Sequence, residues 1–426
     1  MRLGLRAAAL GLLLGATTAP AALEAQEQAA STSEVFRRHA GRVVKIQVTE
    51  SSSGAKSSIG SGFHVSDAGH VVTNYHVISS VVTDPDRYHV DLIETGGETM
   101  RGTVVGIDVV HDLAVLTVEP TGRPCFAIGA GPLAQGTRVY ALGHPHDLGL
   151  AIVEGTYNGR LEHALYDRIH FTGSLNPGMS GGPAITASGD VMGVNVSTAG
   201  DQVSFLVPAE RVARLLARVR APGYVPPAPM LAAVTEQILE HQQRYLAGMF
   251  DSAPTATLGG YEVPTQPAGF FRCWADVTTA PSDPYRIVDH RCSTEDYVFI
   301  AGEQSSGVVE LRHRLMTSSE LDRFRMAALL EFVFMPGDEG TDGDRDHVTS
   351  FRCRTSNVAR GGHALRAAFC LRRYRKLDGL YDAVVKTVTL GDPQEGVVST
   401  LTLAGVSLPN ARLLAGRFLE SIRWKE

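Results

Sequence analysis

The chain has 426 residues, 44% of them hydrophobic and 20% charged, which is enough for two or three domains with ordinary cores. Lys and Arg number 39 against 45 Asp and Glu, a net charge of −6 with a sequence pI near 6.2. That balance carries no basic footprint for nucleic acid, and this class of partner is set aside.

Arg2 and Arg6 precede an apolar run over 7–16 and then small residues through Ala25, the layout of a secretory signal peptide over 1–25. The run is short for a bilayer span. Cleavage after Ala21 or Ala25 fits equally, and an uncleaved anchor is the competing reading. No later segment reads as membrane-spanning, so the expected place is periplasmic or extracellular. Export makes disulfides possible. Cys273, Cys292, Cys353 and Cys370 lie in or just before the last third of the chain, whereas Cys125 stands alone and reads as a buried thiol.

Residues 35–40 offer one or two helical turns, and β patterns then begin. Residues 43–48 partly alternate, 51–58 form a serine-rich loop, and 60–65 run into the turn Ser66-Asp67-Ala68-Gly69. Val71-Val72-Thr73-Asn74 leaves that turn, a hairpin signal. Short strands are expected at 88–93, 101–108, 113–118, 138–142, 151–157, 169–172, 191–196 and 203–207. So many short strands, punctuated by Gly and Pro, predict an all-β domain. Val212, Leu215, Leu216 and Val219 then recur at helical spacing over 209–220, and the proline-rich stretch 221–229 marks a linker and domain boundary.

The remainder, 230–426, opens with a helix expected over 230–249 and then turns mixed. Phe271-Arg272-Cys273 recurs as Phe351-Arg352-Cys353, each followed by a second cysteine, Cys292 and Cys370. Gly307-Val308-Val309 and Leu330-Glu331 have counterparts in Gly396-Val397-Val398 and Leu419-Glu420. This order suggests two copies of one unit, 271–334 and 351–424, each with a cystine hairpin, further strands and a closing helix. Coincidence is the alternative, and four cysteines allow three pairings, of which Cys273 with Cys292 and Cys353 with Cys370 is the one read here.

The chemistry concentrates in Asn176-Pro177-Gly178-Met179-Ser180-Gly181-Gly182-Pro183, a small-residue turn that presents one serine hydroxyl. A serine attacks a carbonyl well only when a base takes its proton and backbone N–H groups stand where the oxyanion forms. Thr73-Asn74-Tyr75-His76-Val77 offers the base, after the second strand of the hairpin. Asp112, at the mouth of the apolar run Leu113-Ala114-Val115-Leu116, offers the carboxylate that fixes a histidine tautomer. Singly, each has an ordinary reading as a surface histidine, a strand-capping aspartate or a glycine-rich turn; together, in the order His, Asp, Ser, they point to acyl transfer.

At these residues, together with Gly60-Ser61-Gly62-Phe63, Ala141-Leu142-Gly143-His144-Pro145 and Val191-Met192-Gly193-Val194-Asn195, the sequence resembles the chymotrypsin-fold (trypsin-like) serine peptidases. Within them it resembles the bacterial periplasmic HtrA/Deg group, over about residues 35 to 210. The resemblance implies an all-β double β-barrel peptidase domain, 35–220; the mixed pattern of the remainder is read, apart from the resemblance, as a smaller α+β C-terminal domain of unknown role. It implies His76 as general base, Asp112 as its orienter, Ser180 as nucleophile, and the N–H groups of Gly178 and Ser180 as oxyanion hole. Asn195, Val196, Ser197 and Thr198 would pair with an extended substrate, and Ser174 would stand at the floor of the primary pocket, with no acid there to select Lys or Arg. The implied partners are protein or peptide substrates, and no cofactor is implied.

Two departures accompany the likeness. Met179 stands where periplasmic relatives carry Asn and zymogen-activated digestive relatives carry Asp, so activation through an ion pair to a new N-terminus is unavailable. After Pro208 no PDZ domain is recognisable. His144, His146, His163 and His170 read as solvated loop histidines rather than a metal site, lacking a ligand-spaced motif, and 372–376 reads as a solvated basic strand face. The sequence thus predicts an exported serine endopeptidase. Its rivals are a latent peptidase-fold sensor or binding protein of the cell envelope working through its C-terminal domain, and an envelope-assembly protein whose peptidase processes only itself.

Overall fold

The computed structural model describes residues 31–425 except 121, 130, 163, 201, 252, 278, 281, 303, 336–344 and 361–362. The expected signal peptide, 1–25, and His163 lie outside the described residues. After a helix, α1 (Thr32–His39), six strands close into a barrel: β1 (Val43–Glu50), β2 (Lys56–His64), β3 (His70–Thr73), β4 (Tyr88–Ile93), β5 (Thr99–Asp108) and β6 (Leu113–Thr117), in the order β1-β2-β3-β6-β5-β4. A second barrel takes β7 (Arg138–Gly143), β8 (Ala151–Arg160), β9 (Ile169–Phe171), β10 (Pro183–Ile185), β11 (Val191–Thr198) and β12 (Ser204–Pro208), in the order β10-β11-β12-β9-β8-β7.

Some strands, β6 above all, read as apolar runs because both of their faces are covered. In β6, Ala114 and Leu116 join the cluster of the first barrel, while Leu113 and Val115 join a second cluster shared with Tyr140, Leu142 and Val194 of the second barrel. Successive side chains of a strand point to opposite faces, so one run of four serves the barrel core and the seam between barrels. The hairpin turn at Gly69 holds φ at +85°, the left-handed region that glycine occupies without penalty.

One helix departs from the expected strand pattern: α2 (Tyr75–Thr83) starts directly after β3. His76 therefore sits in the first turn of a helix rather than trailing from a strand. Two further helices, α3 (Ala209–Val219) and α4 (Met230–Tyr245), flank the proline-rich stretch. The side chain of Gln237 on α4 accepts from the Val109 backbone N–H at 2.9 Å and donates to the Ile107 carbonyl at 3.0 Å.

The C-terminal region is α+β. A small sheet combines β13 (Thr255–Leu258), β14 (Tyr261–Pro264) and the terminal β24 (Arg423–Trp424). A seven-stranded sheet contains β15 (Phe271–Val277), β16 (Arg286–Thr294), β19 (Val309–Thr317), β20 (Arg352–Arg360), β21 (His363–Arg373), β22 (Leu380–Leu390) and β23 (Glu395–Ser407), in the order β15-β16-β19-β23-β22-β21-β20. A separate hairpin pairs β17 (Val298–Ala301) with β18 (Gln304–Ser306). The helices α5 (Arg323–Phe334) and α6 (Leu408–Ser421) pack against the large sheet, α5 through Met326, Leu330 and Phe334 and α6 through Leu414 and Phe418.

Cys273 is bonded to Cys292 across β15 and β16, and Cys353 to Cys370 across β20 and β21. The two cystine hairpins occupy opposite edges of the sheet, and β19 and β23 meet at its middle, with Val309 opposite Leu403 and Arg314 opposite Val398. As two copies of one unit, 271–334 and 351–424 differ in their strands, and the second alone ends in a strand, β24, of the small sheet. The second inserts β22 between its cystine hairpin and its central strand, whereas the first sends the β17-β18 hairpin out of the sheet.

That hairpin unites the halves of the chain. Val298, Ile300 and Ala301 belong to the same buried cluster as Tyr75, Val77, Ile78, Val44 and Ile46, as do Val234 and Ile238 of α4. The core of the first barrel thus runs without a break into the C-terminal region. Three sequence expectations are corrected here. Arg372 is no solvated strand residue but is buried, donating to Asp382 at 2.7 Å, because β22 lays a carboxylate beside it. Cys125 is only half-buried, in the segment after β6, its thiol donating to the Arg123 carbonyl. His144 is buried rather than solvated, enclosed where β7 turns under the Ser180 turn. Among the described residues no helix is long and apolar enough to cross a membrane.

Candidate active site

Asp112 holds φ at +58°, a left-handed conformation that Asp tolerates better than most residues. Its backbone N–H donates to the Val109 carbonyl at 3.2 Å, and its carbonyl accepts from the Asn74 side chain at 2.7 Å and the Tyr75 N–H at 3.3 Å. So fixed, the carboxylate accepts twice from one residue: from the backbone N–H of His76 at Oδ1 (2.8 Å) and from the ring at Nδ1 (2.7 Å). The proton is thereby held on Nδ1, leaving Nε2 as the basic atom. Burial works to lower the His76 pKa, but the charge and hydrogen bond of Asp112 outweigh it and raise the imidazole above its ordinary value, against an opposing pull from Arg168.

Ser180 does not line the cleft at His76 but stands beside it, its hydroxyl meeting the Val196 edge. Gly60 of β2 is packed between Val77, next to His76, and the Ser180 carbonyl. The Ser180 hydroxyl donates to the Val196 carbonyl at 3.3 Å, and Val196 lines the cleft with His76 and Asp112.

The turn expected to hold the oxyanion, 176–179, is well defined. Met179 N–H donates to the Asn176 carbonyl at 3.0 Å, with Pro177 and Gly178 between them and Gly178 at φ +96°. Pro then Gly at the two central positions, with positive φ at the second, is a type II turn. Its middle carbonyl, Pro177, accepts from the His146 N–H at 2.8 Å. In a trans peptide the N–H points opposite to the carbonyl, so this bond aims the Gly178 N–H away from the 144–147 loop and leaves it free as a donor.

Ser61 of β2 ties the turn down. It is buried, its hydroxyl donates to the Gly178 carbonyl at 2.7 Å and accepts from the His144 N–H at 2.9 Å, and its backbone N–H donates to the Ser180 carbonyl at 2.8 Å. The 144–147 loop is clamped by Asp147, which meets Lys45 and Lys56 at 2.7 Å each. Hydrogen bonds from Lys45 and Lys56 hold the Asp147 carboxyl at about 2. Burial, with the charge of Lys45 adding to it, lowers His144 to about 4, so this ring is neutral at ordinary pH. Met179 is fully buried, packed among Val139, Ala141, Leu175 and Ala184 of the second barrel. An apolar anchor holds the turn where an ion pair is unavailable.

Of the expected substrate-binding residues, Val196, Ser197 and Thr198 line the cleft. Asn195 does not face it and is corrected: its buried side chain donates to the Leu142 and Met179 carbonyls at 2.9 and 3.3 Å, and its backbone is engaged by Gly181 and Gly182. It braces the nucleophile turn. Ser174 is exposed after β9 and does not line this cleft. Sequence reasoning missed Ser61, Asn74 and the 144–147 loop as positioning groups, although Gly60-Ser61-Gly62-Phe63 and Ala141-Leu142-Gly143-His144-Pro145 carried the signal.

Residues 60–194 match the family model of the trypsin-like peptidase domain. The match falls on the two closed six-stranded barrels, and over this region the chain is similar to HtrA-like serine peptidases. Relatives include Protease Do-like 5, chloroplastic, of Arabidopsis thaliana, 32% identical over 39% of this chain and 58% of its own. The probable periplasmic serine endoprotease DegP-like of Chlamydia trachomatis is 32% identical over 39% of this chain and 34% of its own. The human serine protease HTRA3 is 32% identical over 37% of each. The chain thus spans between a third and three fifths of the length of these relatives. A crystal structure of the serine endoprotease from Yersinia pestis is 27% identical, covers 46% of this chain and 68% of that one, and superposes with a TM-score of 0.40.

Proposed function

We propose that this protein is an exported serine endopeptidase that hydrolyses peptide bonds of proteins through His76, Asp112 and Ser180. The observation that carries the reading is the His76–Asp112 pair, bonded at 2.7 Å, in a cleft whose Val196 edge meets the hydroxyl of Ser180, the residue that follows the type II turn 176–179. An extended substrate lies along β11 and places its scissile carbonyl over that turn. His76 Nε2 takes the Ser180 proton as Oγ bonds to the carbonyl carbon, and the N–H groups of Gly178 and Ser180 donate to the oxyanion. The proton passes to the leaving amine and the C–N bond breaks, leaving an acyl-enzyme. Water, deprotonated by His76, attacks the ester, and the proton returns to Ser180 as the acid leaves.

The formed turn favours this reading over a latent binding protein, whose hollow would be closed. Export is supported by the two cystines, which persist in oxidising compartments. The test is casein hydrolysis by the full-length mature protein beside Ser180→Ala, together with labelling of Ser180 by an organophosphonate. Cleavage and labelling that both vanish in the alanine variant establish the activity. Equal silence of the two proteins with no labelling refutes it.

A further inference from the structure

The cleft at His76, about 840 Å³, is walled by both halves of the chain. On one side stand His76, Val109, Val110 and the strand edge Val196–Thr198; on the other stand Phe270, Thr294, Tyr297 and Phe299 of the C-terminal region. The two walls are fixed to each other. Tyr75 donates its hydroxyl to the Ile300 carbonyl at 2.9 Å, and the Leu165 N–H donates to the Asp296 carboxylate at 3.0 Å. Phe299 stands edge-on to the His76 ring, their centroids 6.2 Å apart and their planes at 80°.

β10 covers β11 only as far as Val194, and Ser197 and Thr198 are exposed, so an extended peptide adds to this edge by backbone pairing. Its side chains then alternate between two faces. The residue whose carbonyl enters the oxyanion turn, P1, sends its side chain one way; the residue before it, P2, sends its side chain the other way, onto His76. Phe299 occupies that place.

Resting on the peptidase reading, we infer that the C-terminal region builds the non-primed wall of the substrate cleft, and that Phe299 restricts P2 to small residues such as Gly, Ala and Ser. The region without a recognisable PDZ domain is then part of the specificity site itself. The β17-β18 hairpin leaves the seven-stranded sheet to bring Phe299 to the catalytic histidine.

The test uses the full-length protein, Phe299→Ala and Phe299→Leu. The leucine variant retains an apolar side chain against α2, so a fold lost in the alanine variant does not end the experiment. Cleavage sites in a peptide library are read by mass spectrometry, and kcat/KM is measured on matched peptides with Ala or Leu at P2. Wild type favours Ala; the Leu-to-Ala ratio rises about tenfold or more when the ring is removed, with Phe299→Leu between. A fold defect alone lowers both rates and leaves the ratio unchanged. An unchanged ratio in folded variants overturns the inference while leaving the peptidase standing, as does a wild type indifferent to P2 size. Absence of cleavage together with absence of phosphonate labelling of wild-type Ser180 instead removes the peptidase reading beneath it.

Discussion

Replacing Gly178 by alanine tests how the oxyanion turn is held. At φ +96° a residue with a Cβ pays about 1–3 kcal/mol in backbone strain, and the added methyl would stand against the His144 carbonyl inside van der Waals contact. Rotating the peptide between residues 177 and 178 relieves both. That rotation breaks the bond from His146 N–H to the Pro177 carbonyl, at 2.8 Å, a loss of about 1 kcal/mol. Relief therefore costs no more than the strain it removes, and the rotated turn becomes the populated one. It withdraws the Gly178 N–H from the hollow, and a lost oxyanion donor is worth about 3 kcal/mol, or about 10²- to 10³-fold in kcat. The assay is kcat and kcat/KM on a fluorogenic peptide, with the phosphonate labelling rate of Ser180 as a second reading and the thermal midpoint as a fold control. A correctly folded Gly178→Ala with kcat within a few-fold of wild type would refute the assignment of this turn as the oxyanion hole.

Other expected outcomes follow from the same geometry. Asp112→Asn puts an amide where Nδ1–H needs an acceptor, so kcat should fall by about 10⁴-fold. In the wild type, the neutral imidazole is the active base and its pKa is raised by Asp112, so kcat/KM should decline with acid through an inflection above 6.5; residual Asp112→Asn activity should inflect at lower pH. Met179→Ala opens a cavity in the second barrel and should cost about 2–5 kcal/mol by denaturant unfolding, slowing labelling of Ser180 as the turn loosens; a loss under 1 kcal/mol would argue against the apolar anchor. A chain ending at residue 229 would bare Tyr75, Ile78 and Val82 of α2, which share a core with Val298, Ile300 and Leu380. It should aggregate or bind hydrophobic dyes rather than behave as a free peptidase domain; a soluble, cooperatively unfolding fragment would contradict the continuous core.

Much of the double barrel was legible because short strands bounded by Gly and Pro leave local marks. Residues 88–93 coincide with β4, and most other expected strands fall within two residues of the observed ends. α2 was not legible. Tyr75, Val77 and Ile78 continue an apolar run that periodicity cannot assign to strand or helix, and burial of that face under the C-terminal region decides the matter. Arg372 read as solvated because its partner, Asp382, comes from the next strand, and the His144–Pro145–His146 segment carried no hint that its backbone holds the Pro177 carbonyl. Asn195 was misread for the same reason: strand position says which face a residue takes, not which carbonyls wait there.

The sequence by itself determined the chemical parts and their local geometry. A Pro-Gly pair ahead of a serine favours a turn with positive φ, His76 and an aspartate at the mouth of an apolar run offer a base and its acceptor, and four cysteines in hairpin-forming segments suggest the two cystines while leaving their pairing open. Only the tertiary structure decided how those parts bear on one another. Ser61 and the Gly178 carbonyl lie 117 positions apart, and Phe299 lies more than 200 positions beyond His76, so no local pattern records either meeting. Their positions follow from burying both faces of the first barrel, one against the second barrel and the other against the C-terminal region, and that burial brings the cleft wall to His76.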